Sequence, residues 1–221
     1  ETQPGAAPLR AHTYYEPLEY QAGMPPRVVT IPHEGDLAAM IADIKAAKKS
    51  ADVVVLSLHW GLHFIPRAIA DYQPVVAKAA FASGADLILG GHAHAPKAIE
   101  VLDGKVCFYS LSNFIMSAPE ASPNRKSVFE ARFGTALDPE YPNLPYGMDA
   151  KRSLIAKAVL SKGGADSVSF LPLLIDTQLR PEVLRNGDPR FDDAVSFMEW
   201  VSEGFNHRFV VDQDEVGIVP G

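Results

Sequence analysis

Three histidines stand where two short apolar runs stop. His59 closes DVVVLSLH (52–59), and His92 and His94 follow DLILGG (86–91) with one alanine between them. Neutral imidazole is the commonest side-chain ligand of transition metals, so three at one place would point to a bound divalent ion. His63 either points into the same rim or covers a sheet edge. His12, His33 and His207 have no comparable setting and read as ordinary hydrogen-bonded histidines. Three neutral ligands neither balance two dications nor fill the shell of one ion that also carries hydroxide. Carboxylates are needed, and no Asp or Glu ends another parallel strand here. The site reads as half built.

The elements that would position these residues follow from periodicity. Val53 to Leu56 are continuously apolar, the pattern of a strand buried on both faces. DYQPVVAKAAFASG (71–84) reads as a helix with Asp71 as cap, Pro74 in the first turn and Gly84 at the end. With the 86–90 strand this makes a βαβ unit, whose strands run parallel and end on the same edge. His59, His92 and His94 then share the carboxyl rim, where open α/β sheets place ligands. Gly90 and Gly91 allow close backbone approach there. Upstream, Leu37, Met40, Ile41 and Ile44 mark an amphipathic helix with Asp36 as cap. Downstream, Asp103-Gly104 announces a tight hairpin. Two further antiparallel strands lie in 152–175, and a helix follows Pro189. Three stretches result: an irregular arm (1–27), a metal-binding α/β half-domain (28–118) and a C-terminal hairpin and helix completing the same domain (119–221).

Bulk composition excludes several classes. The 221 residues are 47% hydrophobic and 21% charged, with net charge −7 and no basic stripe, which argues against nucleic-acid binding. An anionic substrate is compatible, because bound metal reverses the local field. No run approaches a membrane span. The single cysteine, Cys107, packs in an apolar stretch rather than reacting. The chain opens at Glu1 without a methionine or a signal-peptide core, which reads as a trimmed start or cleavage point, so the compartment is not written here.

DVVVLSLHWG (52–61), GADLILGGHAHAPKAIEVLDGK (84–105) and FYSLSNF (108–114) resemble consecutive motifs of the CapA family. These are the bacterial capsule, or poly-γ-glutamate, synthesis proteins of the calcineurin-like metallophosphatase superfamily. The resemblance covers about residues 28–118. It implies a two-sheet α/β sandwich flanked by helices, of which this chain is the second half. It also implies a dinuclear site of divalent transition metals (Mn, Fe or Zn), with His59 and His92 on one ion and His94 on the other. Trp60, Gly61, His63, Gly91 and Asn113 stand in these motifs as supporting or substrate-facing candidates. His63 replaces a frequent acidic residue, and Ser112 replaces the glycine of SLGNF. No catalytic role is assigned to any of them.

The implied activity is metal-dependent hydrolysis, with an activated water attacking a phosphoester or a γ-glutamyl amide in a small or polymeric anionic substrate. The alternatives are a non-catalytic accessory protein of capsule synthesis or export, and a domain whose histidines only satisfy local hydrogen bonds. The family's earlier motifs, which carry Asp, Asn and a further His, are missing. An N-terminal segment or separate chain is therefore expected to supply those ligands. The family suggests a bacterial protein, envelope-associated or cytoplasmic.

Overall fold

A computed structural model describes residues 9–15, 28–115, 130–131, 138–141, 144 and 146–221. Strand β1 (Ala11–Tyr15) runs antiparallel to β2 (Val28–Pro32), so the arm read as irregular contributes one strand. Helix α1 (Glu34–Lys48) is capped by His33, not Asp36: the His33 ring accepts from the Asp36 N–H at 3.3 Å. Asp36 lies inside the first turn, where its carboxylate holds Arg10 at 2.8 and 3.0 Å. The arginine keeps that carboxyl well below its usual range.

Strand β3 (Val55–His59), helix α2 (Tyr72–Ser83) and strand β4 (Leu87–Gly91) form the expected βαβ unit, with β3 and β4 parallel. Asp71 stands at the start of α2 but makes no capping bond within it; its carboxylate accepts from the Thr30 N–H and ties β2 to the helix. Gly84 closes α2 at φ +116°, where its N–H reaches the Ala80 and Phe81 carbonyls. The hairpin of β5 (Ile99–Leu102) and β6 (Lys105–Phe108) turns at Asp103-Gly104, both at positive φ. The sheet order is β3-β4-β6-β5.

A further expectation is overturned. The 52–60 run is not buried on both faces: β3 begins only at Val55 and, among the described residues, pairs only with β4. Its residues alternate, with Val55, Ser57 and His59 exposed. Helices α1 and α2 cover the Leu56–Leu58 face, and among the described residues no strand pairs with the other margin of β3.

The C-terminal part builds a second sheet. After a 3-10 turn (Met148–Lys151), β7 (Arg152–Ser161) and β8 (Gly164–Ile175) form a long hairpin. Short β9 (Pro181–Val183) pairs with β8, and helix α3 (Pro189–Ser202) starts on an Asp188 cap with proline in its first turn. A final hairpin, β10 (Arg208–Asp212) and β11 (Glu215–Val219), completes the order β10-β11-β8-β7.

Two apolar layers hold the sheets. Ile44, Val76, Ala80, Phe81 and Ile88 fill the space between the helices and one face of the first sheet. Leu87, Ile99, Val106 and Phe108 on the opposite face meet Leu154, Phe170 and Val216 of the second sheet and Phe191 and Met198 of α3. Each large side chain buried there contributes about 1.5–3 kcal/mol. No helix among the described residues is long and apolar enough to cross a membrane.

Candidate metal centre

Register places the rim. His59 pairs with Gly91 across β3 and β4, so the strand ends are level and the next residue, His92, lies beside His59. His59 Nε2 and His92 Nδ1 face each other at 2.7 Å. At that distance the two nitrogens share a hydrogen bond: one carries the proton and the other accepts it. Gly90 beneath them is obligatory, because a Cβ there would meet the Tyr109 carbonyl at 2.3 Å and the Trp60 ring nitrogen at 2.6 Å. The same expectation fails for Gly91, where a Cβ would find open space.

His94 is held differently. Its Nδ1 lies 2.6 Å from Asn113 Oδ1. Asn113 donates from Nδ2 to the Ala150 carbonyl at 3.0 Å, which turns its amide oxygen toward the imidazole. Nδ1 is then the donor, and Nε2 keeps the lone pair a metal needs. The ring stacks on Tyr146 at 3.8 Å and 4°. Tyr146 escaped the sequence reading; it lies in a proline-rich loop with no periodic signal.

The loop over the rim carries His63, whose ring centre is 3.8 Å from that of His92 and 5.9 Å from that of His94. The Gly61 N–H donates to the Tyr72 hydroxyl, and the Phe64 N–H donates to the Ala93 carbonyl. Trp60 is 4% exposed and faces the core; its Nε1 donates to the Tyr109 carbonyl and its ring stacks on Tyr109. It supports the rim from below.

Burial first, then the neighbouring imidazoles of His63, His59 and His94, push the His92 pKa down to about 4. Burial lowers that of His94 too, opposed by its bond to Asn113. Both rings are neutral at physiological pH, the form that binds metal. Backbone strain gathers at the same place. Seven non-glycine residues among those described have positive φ, and four of them are Phe64, His92, His94 and Ser112. Such conformers cost energy and persist where surrounding structure imposes them, commonly at functional sites.

The donor chemistry fits a divalent transition metal: neutral nitrogens, one of them oriented by an amide behind it. The donor count does not reach a full site. Among the described residues no three His, Cys, Asp or Glu side chains are placed to hold one ion together. Beside the rim, a cleft of ≈ 480 Å³ runs between β3–β4 and β7, lined by Leu58, His59, Leu89, Leu111, Ser112 and Ile155. The Ser112 hydroxyl is buried and finds no hydrogen-bond partner among the described residues.

Residues 3–118 match the family model described as bacterial capsule synthesis protein PGA_cap. The chain belongs to this family. Over 80 residues it is 44% identical to the PGA biosynthesis protein CapA of Bacillus subtilis (strain 168), covering 36% of this chain and 21% of that protein. Over 80 residues it is 38% identical to the capsule biosynthesis protein CapA of Bacillus anthracis, covering 36% of this chain and 19% of that protein. The chain thus spans only a small part of the length of the curated CapA proteins it matches. His59, His63, His92, His94 and Asn113 all fall within the stretch matched by the family model, and Tyr146 falls outside it.

Proposed function

We propose that this chain carries the histidine half of a metal-dependent hydrolase of CapA type, acting on a phosphoester or a γ-glutamyl amide. The observation that carries this reading is the His59–His92 pair, nitrogen to nitrogen at the carboxyl edge of two parallel strands. His59 Nε2 and His92 Nδ1 would hold one ion, and His94 Nε2 a second. Asn113 fixes the His94 tautomer, and the rings of His63 and Tyr146 pack against His92 and His94. A divalent ion at such a site supplies Lewis acidity at neutral pH.

Completion of the site by Asp and further His ligands from a segment outside these residues belongs to the same proposal. It is supported by the incomplete donor count, by the unpaired outer margin of β3 among the described residues, and by the small share of each relative that is matched. A second reading, a metal-binding accessory protein of polymer synthesis, has its own support. The relatives' names speak of biosynthesis rather than hydrolysis.

The test is turnover of a chromogenic phosphodiester and a γ-glutamyl anilide by the full product of the reading frame, with manganese, iron or zinc. Metal-dependent release from either substrate, abolished by His59→Ala, is the expected result. Stoichiometric metal binding with no turnover of either substrate would favour the accessory reading.

A further inference from the structure

Lys97 lies three residues beyond His94 and is 2% exposed. Its ammonium donates to the carbonyl oxygens of Ile65 and Ala68, the latter at 2.9 Å. No carboxylate pairs with it among the described residues, and burial pulls its pKa down to about 8. A buried cation without a counter-ion is a costly choice where methionine would fill the same space. What the ammonium provides is several donors radiating from one point.

Both acceptors belong to residues 61–70, a segment with neither helix nor strand. The few backbone bonds within it include Ile65 N–H to the His63 carbonyl and Ala68 N–H to the Ile65 carbonyl. The lysine itself is rooted in the sheet framework. Its N–H donates to the Ser110 carbonyl at 3.1 Å, and the adjacent Pro96 bridges to Leu111. The loop it gathers delivers two rings to the rim: His63 over His92, and Phe64 stacked 6.0 Å from His94 and 5.8 Å from Tyr146.

We propose that Lys97 is a positioning residue, a buried clamp that fixes loop 61–70 and so sets where His63 and Phe64 stand against His92 and His94. Its bearing on metal rests on the proposed function; the clamp itself does not. The loop contains its own reporter. Arg67 is a trypsin site lying between the two clamped carbonyls, with its side chain 45% exposed and ion-paired to Glu203.

The experiment compares wild type with Lys97→Met, which removes every donor, and Lys97→Gln, which retains amide N–H groups and keeps the test open should the first variant fold poorly. In metal-free protein, cleavage at Arg67–Ala68 should quicken on the order of tenfold in Lys97→Met, because freeing the loop raises its open population. Lys97→Gln should fall between, and the His63 ring resonance should shift in both. With cobalt added, the visible spectrum should change and affinity fall roughly tenfold, as when a supporting contact is lost. Unchanged cleavage at Arg67, or an unmoved His63 resonance, overturns the clamp. So does faster cleavage at every trypsin site in step with lower global stability while the cobalt spectrum stays that of wild type. A wild-type protein that takes up no cobalt defeats the metal reading, and the trypsin and resonance measurements still decide the clamp.

Discussion

His59 Nε2 lies 2.7 Å from His92 Nδ1, although 33 residues separate them in the chain. The contact is a consequence of parallel pairing. Once β3 and β4 are in register from Val55–Leu87 to His59–Gly91, His59 ends its strand level with Gly91 and the next residue, His92, lies beside it. Burial and three neighbouring rings then keep His92 neutral, and neutrality makes it a ligand.

The first prediction concerns pH. In the folded protein the His92 pKa is about 4, below the ordinary value of 6.5, so between these values the unfolded chain binds more protons. The stability tied to neutral His92 is therefore full above pH 6.5 and lost as pH falls toward 4. Urea midpoints of metal-free protein should decline across that window, and His92→Asn should flatten the decline. Equal slopes for both proteins would contradict the assignment.

Asn113→Ala should act at two levels. It leaves the His94 Nδ1 and the Ala150 carbonyl without their partner, at a cost of about 1–3 kcal/mol in unfolding free energy. It should also weaken metal at His94 by about 10–100-fold, since the ring is no longer held in one tautomer. Denaturation of metal-free protein and metal titration separate the two effects.

Ser112→Gly should stabilise the protein. Ser112 sits at φ +73° with a buried hydroxyl that has no partner among the described residues. Glycine removes both penalties and gives back part of the gain in backbone entropy, for a net of about 0.5–1 kcal/mol. A rise in the thermal midpoint is the expected reading. A fall would show that the hydroxyl has a structural partner.

Much of this arrangement was legible in the sequence, for reasons that can be named. The parallel unit, the Asp103-Gly104 turn, the Gly84 stop and the α3 start depend on local chemistry: apolar runs, positive-φ residues and a proline at the head of a helix. His33 rather than Asp36 caps α1, and Asp71 holds the cap position of α2 without a capping bond, because Asp36 and Asp71 have tertiary partners, Arg10 and Thr30, that no local pattern reveals. The exposed face of β3 was missed because a continuous valine run looks the same whether or not a second layer covers it. Tyr146 stacks on His94 from a loop and Lys97 bonds the 61–70 loop from the core, contacts that follow only from the fold. The β10–β11 hairpin went unread although Val210, Val211, Val216 and Ile218 flank a short polar turn.

Metal binding by the His59–His92 pair is tested most directly by zinc K-edge absorption on protein loaded with one equivalent of zinc, compared with the His59→Ala/His92→Ala double variant. Wild-type protein should show nitrogen scatterers at about 2.0–2.2 Å with the outer-shell signature of imidazole, two per zinc, and the variant should lose them. A wild-type spectrum showing only oxygen ligands, or an imidazole signature that survives in the double variant, would contradict metal binding by the pair.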